Sequence, residues 1–156
     1  MVGLTISQAR AGFFDRPAVI RAVGKAKAAV LSKFGAYVRR SARSSIRPGG
    51  KKGAVSKPGE PPRSHVGWLR EFIQFAWDSR KQSVVVGPAR FAGATSAGHA
   101  PGTLERGGPV LLTSRSRKGR VRQRTVRIAP RPYMGPALKT NLGVLPPMWA
   151  NSVRAA

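Results

Sequence analysis

Between Pro17 and Ile46 apolar residues recur at Ile20, Val23, Val30, Phe34, Tyr37, Val38, Ala42 and Ile46, a spacing close to 3.6 residues. It predicts one long amphipathic helix over 17–46. Asp15 is placed to cap it, and Pro17 falls in the first turn, where a missing amide hydrogen costs nothing. Gly24 and Gly35 each weaken a helix interior by about 1 kcal/mol relative to alanine, so each marks close packing or a kink. The period stops at RPGGKKGAVSKPGEPPR, which holds no regular apolar set. Residues 47–66 therefore read as an exposed basic loop or arm, either solvated or ordered on a partner.

A period of two follows. In LREFIQFAW, Leu69, Ile73, Phe75 and Trp77 share one face; DSRKQ makes a turn with Asp78 as a turn residue, and SVVVGP returns as the second strand of a hairpin. FAGATSAGHAPGTL is a loop of small residues, and PGTLERGG holds a single helical turn carrying Leu104 and Glu105. A second hairpin runs through PVLLTSRS, the turn KGR and VRQRTVRIAP, with Arg122 and Arg124 on one face. In RPYMGPALKTN, Pro130 and Pro132 keep the backbone extended, Tyr133 and Met134 turn inward, and Gly135-Pro136 opens a short helix with Leu138 and Leu142 on one side. This is a stiff strand-to-helix corner. After Pro146-Pro147 a last turn, MWANSV, sets Trp149 and Val153 four apart on one apolar face. The fold class expected is α+β: the long N-terminal helix packed on a mostly antiparallel sheet of two hairpins (69–130), closed by a corner and short C-terminal helices (131–156), in one domain.

Length and charge narrow the function. A chain of 156 residues supports one core, and 29 Lys and Arg against five acids give a formal charge of +24. Such a chain repels itself and attracts acidic or polyanionic partners. Eight of the 29 cations lie between Arg115 and Arg131 with no acid among them, so the tip of the second hairpin must meet solvent or a partner. The candidate contact residues are Lys51, Lys52, Lys57 and Arg63 in the loop and Arg115, Arg117, Lys118, Arg120 and Arg122 in the hairpin. There is no cysteine, which removes disulfide and thiolate-metal chemistry. Arg10 and Asp15 interrupt any signal-peptide core, and no run of eighteen apolar residues exists, so a soluble protein made in the cytosol is expected. His65 and His99 lie in loops with Glu60 and Glu105 nearby in sequence, but no HxxxH, HxE or ExxH spacing and no G-x-S-x-G elbow appears. No catalytic residue, metal ligand or cofactor is expected.

Taken in order, FGAYVRRSARSSI, SKPGEPPRSHVGWLR, VVVGP, TLERGG and RPYMGPAL resemble the neck or tail-completion proteins of long-tailed bacteriophages and prophages over residues 17–153. The succession LERGG then RPYMGPAL is the most specific part. The resemblance implies a small α+β structural subunit, not an enzyme, that assembles as a homo-oligomeric ring, hexameric to match a tail tube, between the head connector or head-closure ring and the tail terminator or tail tube. It implies a place in the virion neck, with genomic DNA in the channel and no membrane. Tyr133, Met134 and Pro136 would then form the corner that presents the C-terminal helix. The basic loop and hairpin are expected on acidic faces of neighbouring rings or facing DNA, with acidic faces preferred for the hairpin because a genome must slide through a neck. The alternative is a free nucleic-acid-binding protein of ribosomal or chromatin type, suggested by charge alone and lacking KH, RNP or zinc-finger signatures.

Overall fold

The computed structural model describes residues 16–50, 54–89, 100–117 and 119–153. The Asp15 cap, Lys51, Lys52, Lys118 and His99 lie outside them. Helix α1 (Arg16–Ser45) is the spine. Its buried residues Ala26, Val30, Phe34, Val38 and Ala42 stand four apart, and buried Ile46 continues the series just past its end. That row of i±4 neighbours is a ridge that packs into other elements. Coverage begins only at Ala26: Ile20 and Val23, expected in the stripe, are exposed together with Val19. The helix stops before Pro48, whose ring disfavours helical backbone in the residue preceding it.

Strand β1 (Arg47–Pro48) pairs in parallel with β2 (Arg63–Ser64), and the Gly49 amide donates to the Ser64 carbonyl at 2.9 Å. A side chain at Gly49 would collide with His65, so glycine allows these backbones to meet. The basic segment is therefore not a free arm over residues 54–64. It is tied back on itself, with Ser56 and Pro62 buried.

A four-residue helix α2 (Trp68–Glu71), entered through Gly67 at φ 81°, replaces the expected start of the strand at Leu69. Strands β3 (Ile73–Asp78) and β4 (Ser83–Pro88) form the first antiparallel hairpin. Ile73, Phe75 and Trp77 face inward as the alternation required, with Ile73 fully buried. Asp78 Oδ1 accepts the amides of Arg80 (3.0 Å) and Lys81 (3.1 Å), the turn role expected of it. This hairpin lies on α1. A Cβ at Gly35 would come 2.7 Å from Val84 Cγ2 and 3.2 Å from Phe75 Cδ2, so that glycine serves close packing, while Gly24 has open space beside it. Arg39 Nε donates to the Ile73 carbonyl at 2.8 Å and fastens the strand's start to the helix.

Helix α3 (Ala100–Arg106) then leads into the second antiparallel hairpin, β5 (Gly108–Arg115) and β6 (Val121–Ile128). The α+β class holds, with the two hairpins standing as separate two-stranded sheets. Helix α4 (Met134–Asn141), a 3-10 turn (Leu142–Val144) and α5 (Leu145–Trp149) close the chain against α1. At this end the side of α4 marked by Leu138 and Leu142 faces outward, and the pairing expected of Trp149 and Val153 fails. The face of α4 that meets the body is Ala137 and Asn141, whose Nδ2 donates to Ser41 Oγ (2.8 Å) and the Ala137 carbonyl (2.7 Å), leaving Leu138 and Leu142 exposed. Trp149 and Val153 share no helix, because Ala150 is extended (ψ 125°) and Asn151 is left-handed (φ 56°).

Phe34, Val38, Ala42, Ile46, Ile73, Tyr133 and Ala137 make one core, with Leu104, Met134 and Met148 packed around it. Each large apolar side chain buried there contributes about 1.5–3 kcal/mol. Among the described residues no helix is long and apolar enough to cross a membrane.

Candidate functional site

The corner is built around one carboxylate. Tyr133 occupies the N-cap position of α4 without a capping side chain, so the first amides of the helix need acceptors from elsewhere. Glu105, at the end of α3, supplies them: Oε2 accepts from the amides of Tyr133 (2.9 Å) and Met134 (3.0 Å), and Oε1 from Gly135 (2.7 Å). The next residue is Pro136, which has no amide hydrogen, so the first turn has no donor left over. A Cβ at Gly135 would stand 3.1 Å from Oε1, and glycine there lets the carboxylate come close. The negative charge also faces the positive end of the helix dipole.

The same junction holds the loop. Arg131 donates its amide to the Leu104 carbonyl (2.6 Å), Nε to Ser56 (3.1 Å) and Nη1 to Ala129 (3.3 Å), and the Gly59 amide donates to Pro130 (2.8 Å). Residues 56–59, 104–105 and 130–135 are thereby knitted together. TLERGG and RPYMGPAL, distant in sequence, are two halves of this joint. Tyr133 is buried as expected, whereas Met134 is only half-buried at the edge of the core, because its side chain leaves the inward-facing position to Tyr133 and Ala137. Burial first, and the nearby Glu105 charge second, push the Tyr133 hydroxyl up to about 12.

Sequence reading placed Glu105 on its helical turn but not in this role. The available signal was scarcity: it is one of five acids in the chain, and the helix opened by Gly135-Pro136 lacks a Ser, Thr, Asp or Asn cap of its own.

The basic candidates fall on two elements. Lys57 is exposed in the tied loop, and half-buried Arg63 stands opposite Arg47 in the β1–β2 bridge, beside a cleft that also takes in Ser44, Ser56 and Glu60. Arg115, Arg117, Arg120 and Arg122 are exposed on the second hairpin. Its turn is closed by the Ser116 amide donating to Arg120 (2.9 Å), the Arg120 amide donating to Ser116 Oγ (3.2 Å), and Gly119 at φ 76°. Gly107 (φ 72°) and Gly108 (φ 128°) turn the chain into β5, and the hairpin meets the rest of the protein mainly at this base.

His65 Nε2 lies 3.0 Å from the Ala54 carbonyl, a contact that holds the loop. Among the described residues no three of His, Asp and Glu are grouped to hold a metal ion. No family model, curated protein or solved structure matches the chain.

Proposed function

We propose that the chain is a structural subunit of a bacteriophage neck, a homo-oligomeric ring of six copies that joins the DNA-filled head to the tail between the head connector and the tail tube. The observation that carries this reading is the rigid presentation of an apolar face. Glu105 fixes α4 at the corner, and Leu138, Leu142, Val144 and Trp149 stand 39–50% exposed along the C-terminal turns. Apolar side chains held out by a capped helix, on a chain of charge +24, suit burial against a neighbouring subunit better than contact with water. The joint between TLERGG and RPYMGPAL gives the segments that carry the family resemblance a shared mechanical task.

The test is electron microscopy and sedimentation of the purified protein, alone and with its head connector. Rings are expected, and they should be lost in Leu138→Asp/Leu142→Asp while the melting temperature is kept. A wild-type chain that stays monomeric under both conditions, or a double variant that still completes infectious particles, would overturn the proposal.

A further inference from the structure

The second hairpin carries charge in a pattern the ring reading does not use. Residues directly opposite in an antiparallel pair share a face. The pairs Ser114–Arg122 and Leu112–Arg124 therefore put Arg122 and Arg124 on one face, and Arg115–Val121 and Pro109–Arg127 put Arg115 and Arg127 on the other. Arg117 and Arg120 flank the turn, all six arginines are exposed, and no acid lies between Gly108 and Arg131. A flat acidic protein surface touches one face of such a ribbon and leaves the other face's cations unanswered. A duplex major groove differs, because phosphates line both walls and its width admits a two-stranded ribbon. Eight-residue strands at about 3.3 Å per residue give a ribbon of roughly 26 Å, enough to follow a groove for most of a helical turn of about 34 Å.

We infer that the β5–β6 ribbon binds duplex DNA by lying along the major groove, with arginines of both faces on the phosphates of the two walls. The recognition is of backbone charge and not of base sequence. Such contacts let a protein slide along DNA, so they do not oppose passage of a genome. Residues 108–128 thus act as a lubricated guide rather than as the clamp on acidic neighbours that the sequence led us to expect. The binding to duplex DNA concerns the isolated chain and does not depend on ring formation; only the guiding role rests on the neck reading.

The measurement is binding of the full chain to a mixed-sequence duplex of roughly two helical turns, between about 50 and 200 mM salt. Replacing Arg122 and Arg124 by Gln, or Arg115 and Arg127 by Gln, should each lower the slope of log affinity against log salt by about 1.8, that is 0.9 per phosphate contact. The two losses should add in the fourfold variant and be the same on an unrelated sequence. A control removing four exposed cations from α1 (Arg16, Arg21, Lys25 and Lys33 to Gln) should leave the slope unchanged. Duplex with bulky sugar groups filling the major groove should bind wild type roughly tenfold more weakly or worse.

Loss of slope from one face only would indicate a flat partner and overturn the inference. So would an equal loss in the α1 control, undiminished binding to the filled groove, or equally tight binding to poly-glutamate of matched charge. All four arginines are exposed, and an unchanged melting temperature verifies the fold of each variant. If the fourfold variant unfolds, the two double variants decide. Ring assembly is read separately by microscopy, so failure of DNA binding and failure of the ring reading are distinct results.

Discussion

Replacing Glu105 by alanine removes the acceptor for three amides at once. Tyr133, Met134 and Gly135 donate to its two oxygens at 2.7–3.0 Å in a partly buried setting. Loss of a strong N-cap costs up to about 2 kcal/mol, and a hydrogen bond to a charged group is worth about 1.5–3 kcal/mol. Water can reach part of the opened site, so the sum over three bonds overstates the effect, and a loss of about 2–4 kcal/mol is the working figure. For a domain of this length, 1 kcal/mol moves the melting temperature by about 2–4 °C, which places the variant roughly 4–16 °C below wild type. Glu105→Gln keeps one carbonyl acceptor but turns a donor toward the remaining amide, and should fall between the two. Thermal unfolding followed by circular dichroism measures all three proteins. Because α4 carries the exposed Leu138 and leads directly into the exposed Leu142, ring assembly should fail in the alanine variant at temperatures where most of the protein is still folded. An alanine variant that melts with wild type would refute the claim that this carboxylate holds the corner.

Burial and the Glu105 charge hold Tyr133 protonated to about pH 12 in the folded chain, against about 10 when unfolded. The stability this neutral phenol contributes is therefore complete below pH 10 and is lost as pH rises from 10 to 12, by about 2–3 kcal/mol; denaturant unfolding across that range and tyrosinate absorbance in a Tyr37→Phe background should show it. Gly35→Ala should destabilise by about 1–3 kcal/mol, because its Cβ would meet Val84 and Phe75. Gly24→Ala, with open space around it, should stabilise by up to about 1 kcal/mol, and equal melting shifts for the two would contradict the packing described. Limited trypsin digestion should cut first at Arg117 or Arg120 in the hairpin tip and later at Arg63, which is half-buried and paired with Arg47 between β1 and β2; first cleavage at Arg63 would show that the loop is not held.

Periodic elements were legible in the sequence because their pattern and their burial have the same cause. The helix ridge from Val30 to Ile46 and the alternation of Ile73, Phe75 and Trp77 are apolar where each element meets the core. Burial was not legible where pattern and packing separate. Ile20 and Val23 keep the helical period although nothing described covers them, and Leu138 and Leu142 are apolar although Asn141 is the side chain that α4 buries, by means of its bond to Ser41. Glycine and proline content suggested an exposed loop or arm at 47–66, yet composition does not register hydrogen bonds to remote residues such as those from the Arg131 side chain to Ser56 and from the Gly59 amide to Pro130. The cap by Glu105 was hidden for a related reason: the carboxylate and its three donors are 28–30 residues apart.

That separation bears on how the molecule divides its work. Glu105 and Arg131 bracket the β5–β6 ribbon in the chain, and both are bonded at the junction, Glu105 to the start of α4 and Arg131 to Leu104 and Ser56. The ribbon therefore leaves and re-enters the body at a single clamped point. A two-stranded hairpin is marginally stable on its own in water, and this one is exposed along most of both strands. The clamp can fix the ribbon's base, but its outer half, with five arginines and no acid, has mutual repulsion to overcome and little apolar packing to oppose it. A polyanion along both faces would relieve that repulsion. Binding should then order the ribbon from the tip inward, and amide exchange in β5 and β6 should slow on adding duplex DNA while exchange at Tyr133–Gly135 stays as it was. Slowing confined to the junction would mean that the ribbon is not where the charge is answered.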